Sequence, residues 1–183
     1  MTQIRDSSVL RAVAHPLRRQ LLDLLRVDGP ATPTVLARGS SQAVANVSHH
    51  LRVLAECGLV AEAPELARNR KERWWRIVDR RVQWTASDFT DDPASLAAAD
   101  AAQSLGFQRQ VELTRTWLGT PAAREQPWVD AAFSSDSWLR LTPAELDELG
   151  RRLIDLVGEY EDRPDDEDRE TVFVLSRGFP ARP

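Results

Sequence analysis

Residues 41–58 read SQAVANVSHHLRVLAECG, and the rest of the chain is organised around them. Val44, Val47, Leu51 and Leu54 recur at i, i+3, i+7 and i+10, which makes one apolar stripe on a helix. Gln42, Ala45, Asn46, His49 and Arg52 fall on the other face. Those side chains are short or flat, and most can hydrogen-bond. A face built only for solubility uses Glu and Lys, and this one has neither before Glu56. Asn and Gln pair bidentately with adenine, and Arg with guanine, in a groove wide enough to admit a helix. The plainer alternative is an amphipathic helix with an ordinary polar outside, so the flanks decide.

Upstream, residues 8–14 form a short apolar helix closed by His15-Pro16, because the residue before proline disfavours the helical region. Pro16 then suits the first turn of a second helix reaching Val27, with Leu17, Leu21, Leu22, Leu24 and Leu25 facing the core. Asp28-Gly29-Pro30 ends it. Thr32 or Thr34 caps a third helix near residues 33–38, with Val35 and Leu36 inward. Gly39-Ser40-Ser41 makes a turn, the opening helix follows, and Gly58 ends it in a left-handed conformation. Downstream, residues 59–63 read as a strand, 66–71 as a basic turn and 73–78 as the returning strand, with Trp74 and Trp75 on opposite faces and one of them in the core. Helix, helix, helix–turn–helix and hairpin is the winged-helix plan, whose second helix of the turn pair enters the major groove. The hairpin tip carries Arg68, Arg70, Lys71 and Arg73, cations suited to phosphates or an adjacent minor groove; a solvated loop is the alternative.

The residues themselves resemble a known family. Ala14-His15-Pro16-Leu17-Arg18-Arg19 with Leu21-Leu22, then Leu36-Ala37, then Val47-Ser48-His49-His50-Leu51-Arg52-Val53-Leu54 and Cys57-Gly58-Leu59-Val60, look like the ArsR-type winged-helix transcriptional regulators over about residues 8–80. The resemblance implies a homodimer that binds an inverted repeat in double-stranded DNA, released by a small ligand, a metal or a redox event. It places Ser48 with the wing cations on the DNA backbone, His49 toward the groove and His50 back toward the body. Three places depart from the pattern. Ser40 and Ser41 stand where the family has an apolar residue and Gly. Ala43 stands where it has a Ser or Thr cap, so Ser41 is expected to cap the helix. Residues 33–41 lack the Cys or His of the family's metal sites. The only histidines are His15, His49 and His50, and neighbouring residues on a helix point about 100° apart, so no zinc set is expected. Cys57 is read as a small core residue, with oxidant sensing as the alternative.

Composition sets bounds. The 183 residues suffice for a core without staples. One cysteine excludes an intramolecular disulfide. No apolar run reaches membrane-spanning length and no signal-peptide core stands at the start, so a cytoplasmic protein is expected. Charge is asymmetric: residues 1–80 hold 13 Arg and Lys against 8 Asp and Glu, while residues 81–183 hold 11 against 20. The first half can face a polyanion and the second cannot. The 23 Arg against 1 Lys reflect base composition as readily as function.

Beyond residue 80, Thr90-Asp91-Asp92-Pro93 starts a long helix reaching Trp117 or Leu118. Its first half is alanine-rich. Its second half sets Phe107, Val111, Thr114 and Leu118 on one stripe suited to a dimer interface. Residues 119–127 read as a loop, 128–141 as one or two strands, and Thr142-Pro143-Ala144-Glu145 as a capping box opening a helix with Leu146, Leu149, Leu153, Ile154, Val157 and Tyr160 inward. Residues 163–169 are an acidic loop and 170–176 a last strand. The aromatic set Trp117, Trp128, Phe133, Trp138, Phe173 and Phe179 is assigned to core and interface in preference to an effector pocket. No phosphate loop, serine–histidine set or paired-carboxylate motif appears, so neither an enzyme nor a cofactor is expected.

The expected fold class is α+β, mostly α: a winged helix-turn-helix domain over 1–80, a long dimerisation helix over 90–118 and a small strand–helix–strand module over 128–180. The expected function is a homodimeric regulator, a repressor, with recognition helix 42–57 and wing 66–73. Two alternatives stay open: a winged helix used for protein contact, and an effector-binding C-terminal module for which the winged helix is an adaptor.

Overall fold

A computed structural model describes residues 2–3, 7–79, 82–83, 93–120, 124–164, 166 and 168–182. The chain divides into two compact units, Met1–Arg115 and Thr116–Pro183. Elements of the α+β class, mostly helical, follow in the order β1 (Thr2–Gln3), α1 (Ser7–Val13), α2 (Pro16–Val27), α3 (Pro33–Ser40), α4 (Val44–Glu56), β2 (Val60–Glu62), β3 (Trp75–Ile77), β4 (Val82–Gln83), α5 (Pro93–Gly119), α6 (Gln126–Ala131) and α7 (Pro143–Glu161). Among the described residues no helix is long and apolar enough to cross a membrane.

The core of the first unit is leucine and valine from α2, α3 and α4. Leu21, Leu22 and Leu25 of α2, Leu36 of α3, and Val47, Leu51 and Leu54 of α4 are buried almost completely and form one cluster. Pro16 takes the first turn of α2 as its ring requires. Arg18 Nε donates to the Ala12 carbonyl at 2.7 Å and its terminal nitrogen to the Arg11 carbonyl at 2.6 Å, satisfying the end of α1. Thr32 caps α3 by accepting from the Val35 amide. The apolar face of α3 is Leu36 and Ala37 together with Ser40, whose hydroxyl donates to the Leu36 carbonyl at 2.6 Å. Val35 was expected inward but is half exposed, because burial of Leu36 and Ala37 turns the preceding residue out.

The turn between α3 and α4 differs from expectation. Gly39 and Ser40 remain helical, and Ser41 alone makes the turn, at φ 54 and ψ 39. Its amide and that of Gln42 close α3 by donating to the Arg38 and Ala37 carbonyls. Ser41 therefore ends α3 and does not cap α4. The N-cap of α4 is Ala43, which has no side chain to offer. Ser40 and Ser41 thus stand in for an apolar residue and a glycine, one by bonding its hydroxyl back to its own helix, the other by tolerating the left-handed region. Gly58, at φ 69, ends α4 as its lack of Cβ allows.

The wing is antiparallel β2–β3, with Val60 opposite Ile77, Ala61 opposite Arg76 and Glu62 opposite Trp75. Trp75 is the core residue of the tryptophan pair, and Trp74 is partly buried. Trp75 also exchanges both backbone hydrogen bonds with Ala31, at 2.9 and 3.0 Å, adding a third rung from the α2–α3 loop. A parallel pair, β1–β4, joins residues 2–3 to 82–83.

The N-terminal half of α5 packs on this body. Ala98 and Ala99 meet Leu10, and Ala102 joins the main cluster, where small side chains permit close approach. The expected cap at Asp91–Asp92 lies outside the described residues. Asp23 of α2, only 16% exposed, faces three guanidinium groups: Arg109 of α5 at 2.7 Å, Arg26 at 3.4 Å and Arg19 at 3.8 Å.

The second unit departs further. Residues 126–131 form α6 where a strand was expected, and residues 132–142 have no regular structure. The strand expected at 170–176 is not formed either. Strands need partners far along the chain, whereas α7 needs only local bonds, and α7 forms as expected. Its capping box is complete: the Glu145 amide donates to Thr142 Oγ1 at 3.3 Å, and Glu145 Oε2 accepts from the Thr142 amide at 2.7 Å. These bonds favour the carboxylate and hold the Glu145 pKa below the usual range. The apolar stripe of α7 is left largely open among the described residues of its own unit: Leu153, Ile154, Val157 and Tyr160 remain exposed, and Gly158 alone is buried.

The Ser41 geometry yields a stability test. A left-handed non-glycine residue costs about 1–2 kcal/mol, partly offset because glycine has more unfolded freedom. Ser41→Gly is expected to raise unfolding stability by up to about 1 kcal/mol in urea titration, whereas a loss of similar size means Ser41 is held by its side chain. In the same assay Asp23→Ala, which strips three arginines of their shared carboxylate, is expected to cost about 1–3 kcal/mol.

Candidate nucleic-acid interface

The buried stripe on α4 fixes which side chains look outward. Val47, Leu51 and Leu54 are fully buried, so Ala45, Asn46, His49 and Arg52 are exposed. Val44, expected on the stripe, is 44% exposed because it opens the first turn, beyond the reach of α2 and α3. Gln42 precedes the helix but joins its face: Asn46 Nδ2 donates to Gln42 Oε1 at 3.0 Å. An amide nitrogen has two protons, so Asn46 keeps one donor and its oxygen for a base edge. The pair is held in place before any ligand arrives. Arg52 Nε donates to the Ser48 carbonyl at 3.3 Å, laying the guanidinium along the helix. Ser48, which the resemblance assigns to the DNA backbone, gives its proton to the Val44 carbonyl at 2.8 Å and is partly buried.

The wing tip is shaped by its own side chains. Asn69 Oδ1 accepts from the Lys71 and Glu72 amides at 2.9 and 3.2 Å, the local bonding that suits Asn to turns. Glu72 accepts from the Arg68 amide at 2.9 Å and from the Trp74 indole at 3.5 Å. Arg68, Arg70 and Lys71 are exposed at this turn. Arg73 differs: it lies across the ladder, 3.4 Å from Glu62. Arg76, which the sequence did not single out, pairs likewise with Glu65 at 2.9 Å. Both pairs are solvent-exposed and worth under about 1 kcal/mol each, so a phosphate can displace them.

Behind the reading face, a recess between the start of α2 and α4 is lined by His15, Leu17, Gln20, Gln42, Asn46 and His50. The His15 and His50 rings stand 4.5 Å apart, and their Nδ1 atoms are buried without a hydrogen-bond partner. Burial lowers the pKa of both, reinforced at His15 by Arg18, and at His50 by His15, Arg18 and His49. His50 thus packs inward and His49 outward, as their neighbouring positions require. The pairing of His15 with His50 was missed, since a contact across 35 residues leaves no periodic signal. The link between Gln42 and Asn46 was within reach, because side chains four apart on a helix meet. Among the described residues no group of three His, Cys, Asp or Glu is placed to hold a metal ion. Cys57 is partly buried against the core cluster.

A family model described as a helix-turn-helix domain matches residues 13–63. The chain carries a helix-turn-helix domain. The match runs from the end of α1 through β2, so it contains α3, the Ser41 turn and α4 and stops before the wing tip. No curated protein matches the chain. In this domain type the second helix of the pair is the one that lies in the major groove, and here that helix is α4. The helix-turn-helix assignment supports DNA as a partner, and Gln42, Ala45, Asn46, His49 and Arg52 are the exposed residues at and before this helix. The proposed dimer stripe lies outside the match: Phe107 and Leu118 are exposed, Val111 is partly buried and Thr114 donates to the Gln110 carbonyl at 2.8 Å.

The histidine pair gives a pH test. Both groups titrate lower folded than unfolded, so the unfolded chain binds more protons just below its own pKa of about 6.5. The stability from keeping them neutral is complete above about pH 6.5 and is lost as pH falls toward the folded values. The urea midpoint is expected to drop between about pH 7.5 and 5.5, and His50→Gln is expected to flatten that slope. An unchanged slope in the variant removes the pair as its cause.

Proposed function

We propose that this chain is a homodimeric, sequence-specific DNA-binding transcriptional regulator of the ArsR type, acting as a repressor. The observation that carries the reading is the pre-set amide pair Gln42–Asn46 on the exposed face of α4, inside a helix-turn-helix domain. Asn46 and Gln42 offer the donor–acceptor pattern that adenine matches, and Arg52 the fork that guanine matches. Arg68, Arg70, Lys71 and Arg73 supply backbone charge, and Ser48 joins them once its rotor leaves Val44. Phe107, Val111, Thr114 and Leu118 supply a stripe for a second copy, so that two α4 helices read the halves of an inverted repeat. The aromatic residues of the second unit stand mostly exposed, which favours an interface over an effector pocket.

Selection from random duplex DNA, then affinity of the winner across salt, tests this. An inverted repeat with steep salt dependence is expected. Asn46→Ala is expected to lose about 1–3 kcal/mol on the selected site and to relax its sequence preference. Arg70→Ala is expected to weaken all sequences alike and reduce the salt slope by about 1. No enriched sequence from a folded dimer moves the assignment to a winged helix used for protein contact.

A further inference from the structure

The second unit has helices α6 and α7 and two extended segments, and its described residues form no buried apolar cluster. Val172, Phe173, Val174 and Leu175 are consecutive, and each is 46–59% exposed. A short run of apolar residues of this kind reads as a buried strand of a sheet. Among the described residues, 133–141 and 170–176 form no hydrogen bond. Residues bordering both segments meet the first turn of α7. Residues 132–142 run into its first turn, and a Cβ on Gly178 would stand 2.9 Å from Leu146 Cδ1. They approach one place without pairing.

We propose that residues 116–183 fold as half of an intertwined α/β layer completed by a second copy of this chain, with residues 170–176 pairing antiparallel to the same residues of the partner. The inference rests on the homodimer in the reading above and specifies how it is built. A second copy is favoured on supply and on symmetry. One chain brings two strand-forming segments and one long amphipathic helix, whereas an independently stable sheet needs three or more strands with a covered face. Two chains bring four segments and two copies of α7, whose Leu153, Ile154 and Val157 still seek cover. A twofold axis perpendicular to a sheet keeps every side chain on its own face, so a residue on the axis meets itself. Centring the axis on Phe173 places it opposite the partner's Phe173, and Val172 opposite the partner's Val174, a matched apolar set. Residues 132–141, with Ser134, Ser135, Asp136 and Ser137, are the outer strands, whose polar residues suit an edge.

Cross-linking and exchange test this on the full chain. In a Cys57→Ser background, Phe173→Cys is expected to give a disulfide-linked dimer under mild oxidation. Directly opposed antiparallel residues have Cα atoms about 4.5–5.5 Å apart, within disulfide range. Ser134→Cys in that background is expected to stay unlinked. The unsubstituted chain, which does not depend on tolerating a new residue, is measured by hydrogen exchange and sedimentation. Amides 170–176 are expected to be protected in the dimer and to lose protection on dilution as it dissociates. A monomer at micromolar concentration, a dimer whose amides 170–176 exchange freely, or a folded Phe173→Cys variant that does not cross-link overturns the inference. Operator binding by a dimer with unprotected strands sinks this inference alone. Protected strands in a dimer that selects no DNA sink the regulator reading alone.

Discussion

Burial of Val47, Leu51 and Leu54 against α2 and α3 is the constraint on which the interface depends. Each such side chain is worth about 1.5–3 kcal/mol when taken out of water. Turning α4 by one residue, about 100°, would expose all three at a cost no polar contact on the other face could recover. The rotation of α4 is therefore set by its apolar side, and its outward side is free to carry chemistry. That is why the side chains of Asn46 and Arg52 bond only within the helix and its first turn, and why the Gln42 side chain is met by Asn46. The orientation of the exposed face is a by-product of packing, and its chemistry lies in its residue types.

Two charged groups tie the peripheral helices to that packing. Arg18 satisfies the last carbonyls of α1, and Asp23 gathers Arg19, Arg26 and Arg109. Three cations around one carboxylate leave a local excess of positive charge, and burial depresses the Arg26 pKa, with Arg19 adding to the effect. The arrangement persists because Asp23 is well shielded and the contact from Arg109 is short. It is also a polar link between α5 and the body, beside the alanine contacts. Whatever fixes the position of α5 is felt by α2, against which α4 is packed.

Legibility in the sequence followed the range of the interactions. Helices α2, α4 and α7 were readable because period, caps and breakers lie within a few residues: Pro16, Gly58 and the Thr142–Glu145 box act where they stand. The outward set on α4 followed from the same periodicity. The Ser41 turn was misread because a serine at that place looks like a cap, and only the backbone angle reveals that it replaces a glycine. The Ala31–Trp75 rung, the His15–His50 pair and the Asp23–Arg109 contact span tens of residues and have no local signature. Glu72 and Glu62 shape the wing among arginines that drew attention by charge alone.

Residues 128–141 and 170–176 were misread for another reason. Local pattern identifies residues willing to form strands, but a strand exists only when another strand supplies its bonds. Helix α6 formed where its bonds were local, and the other segments stayed extended. Strand-forming residues that remain exposed and unbonded within one chain point to a fold completed by another.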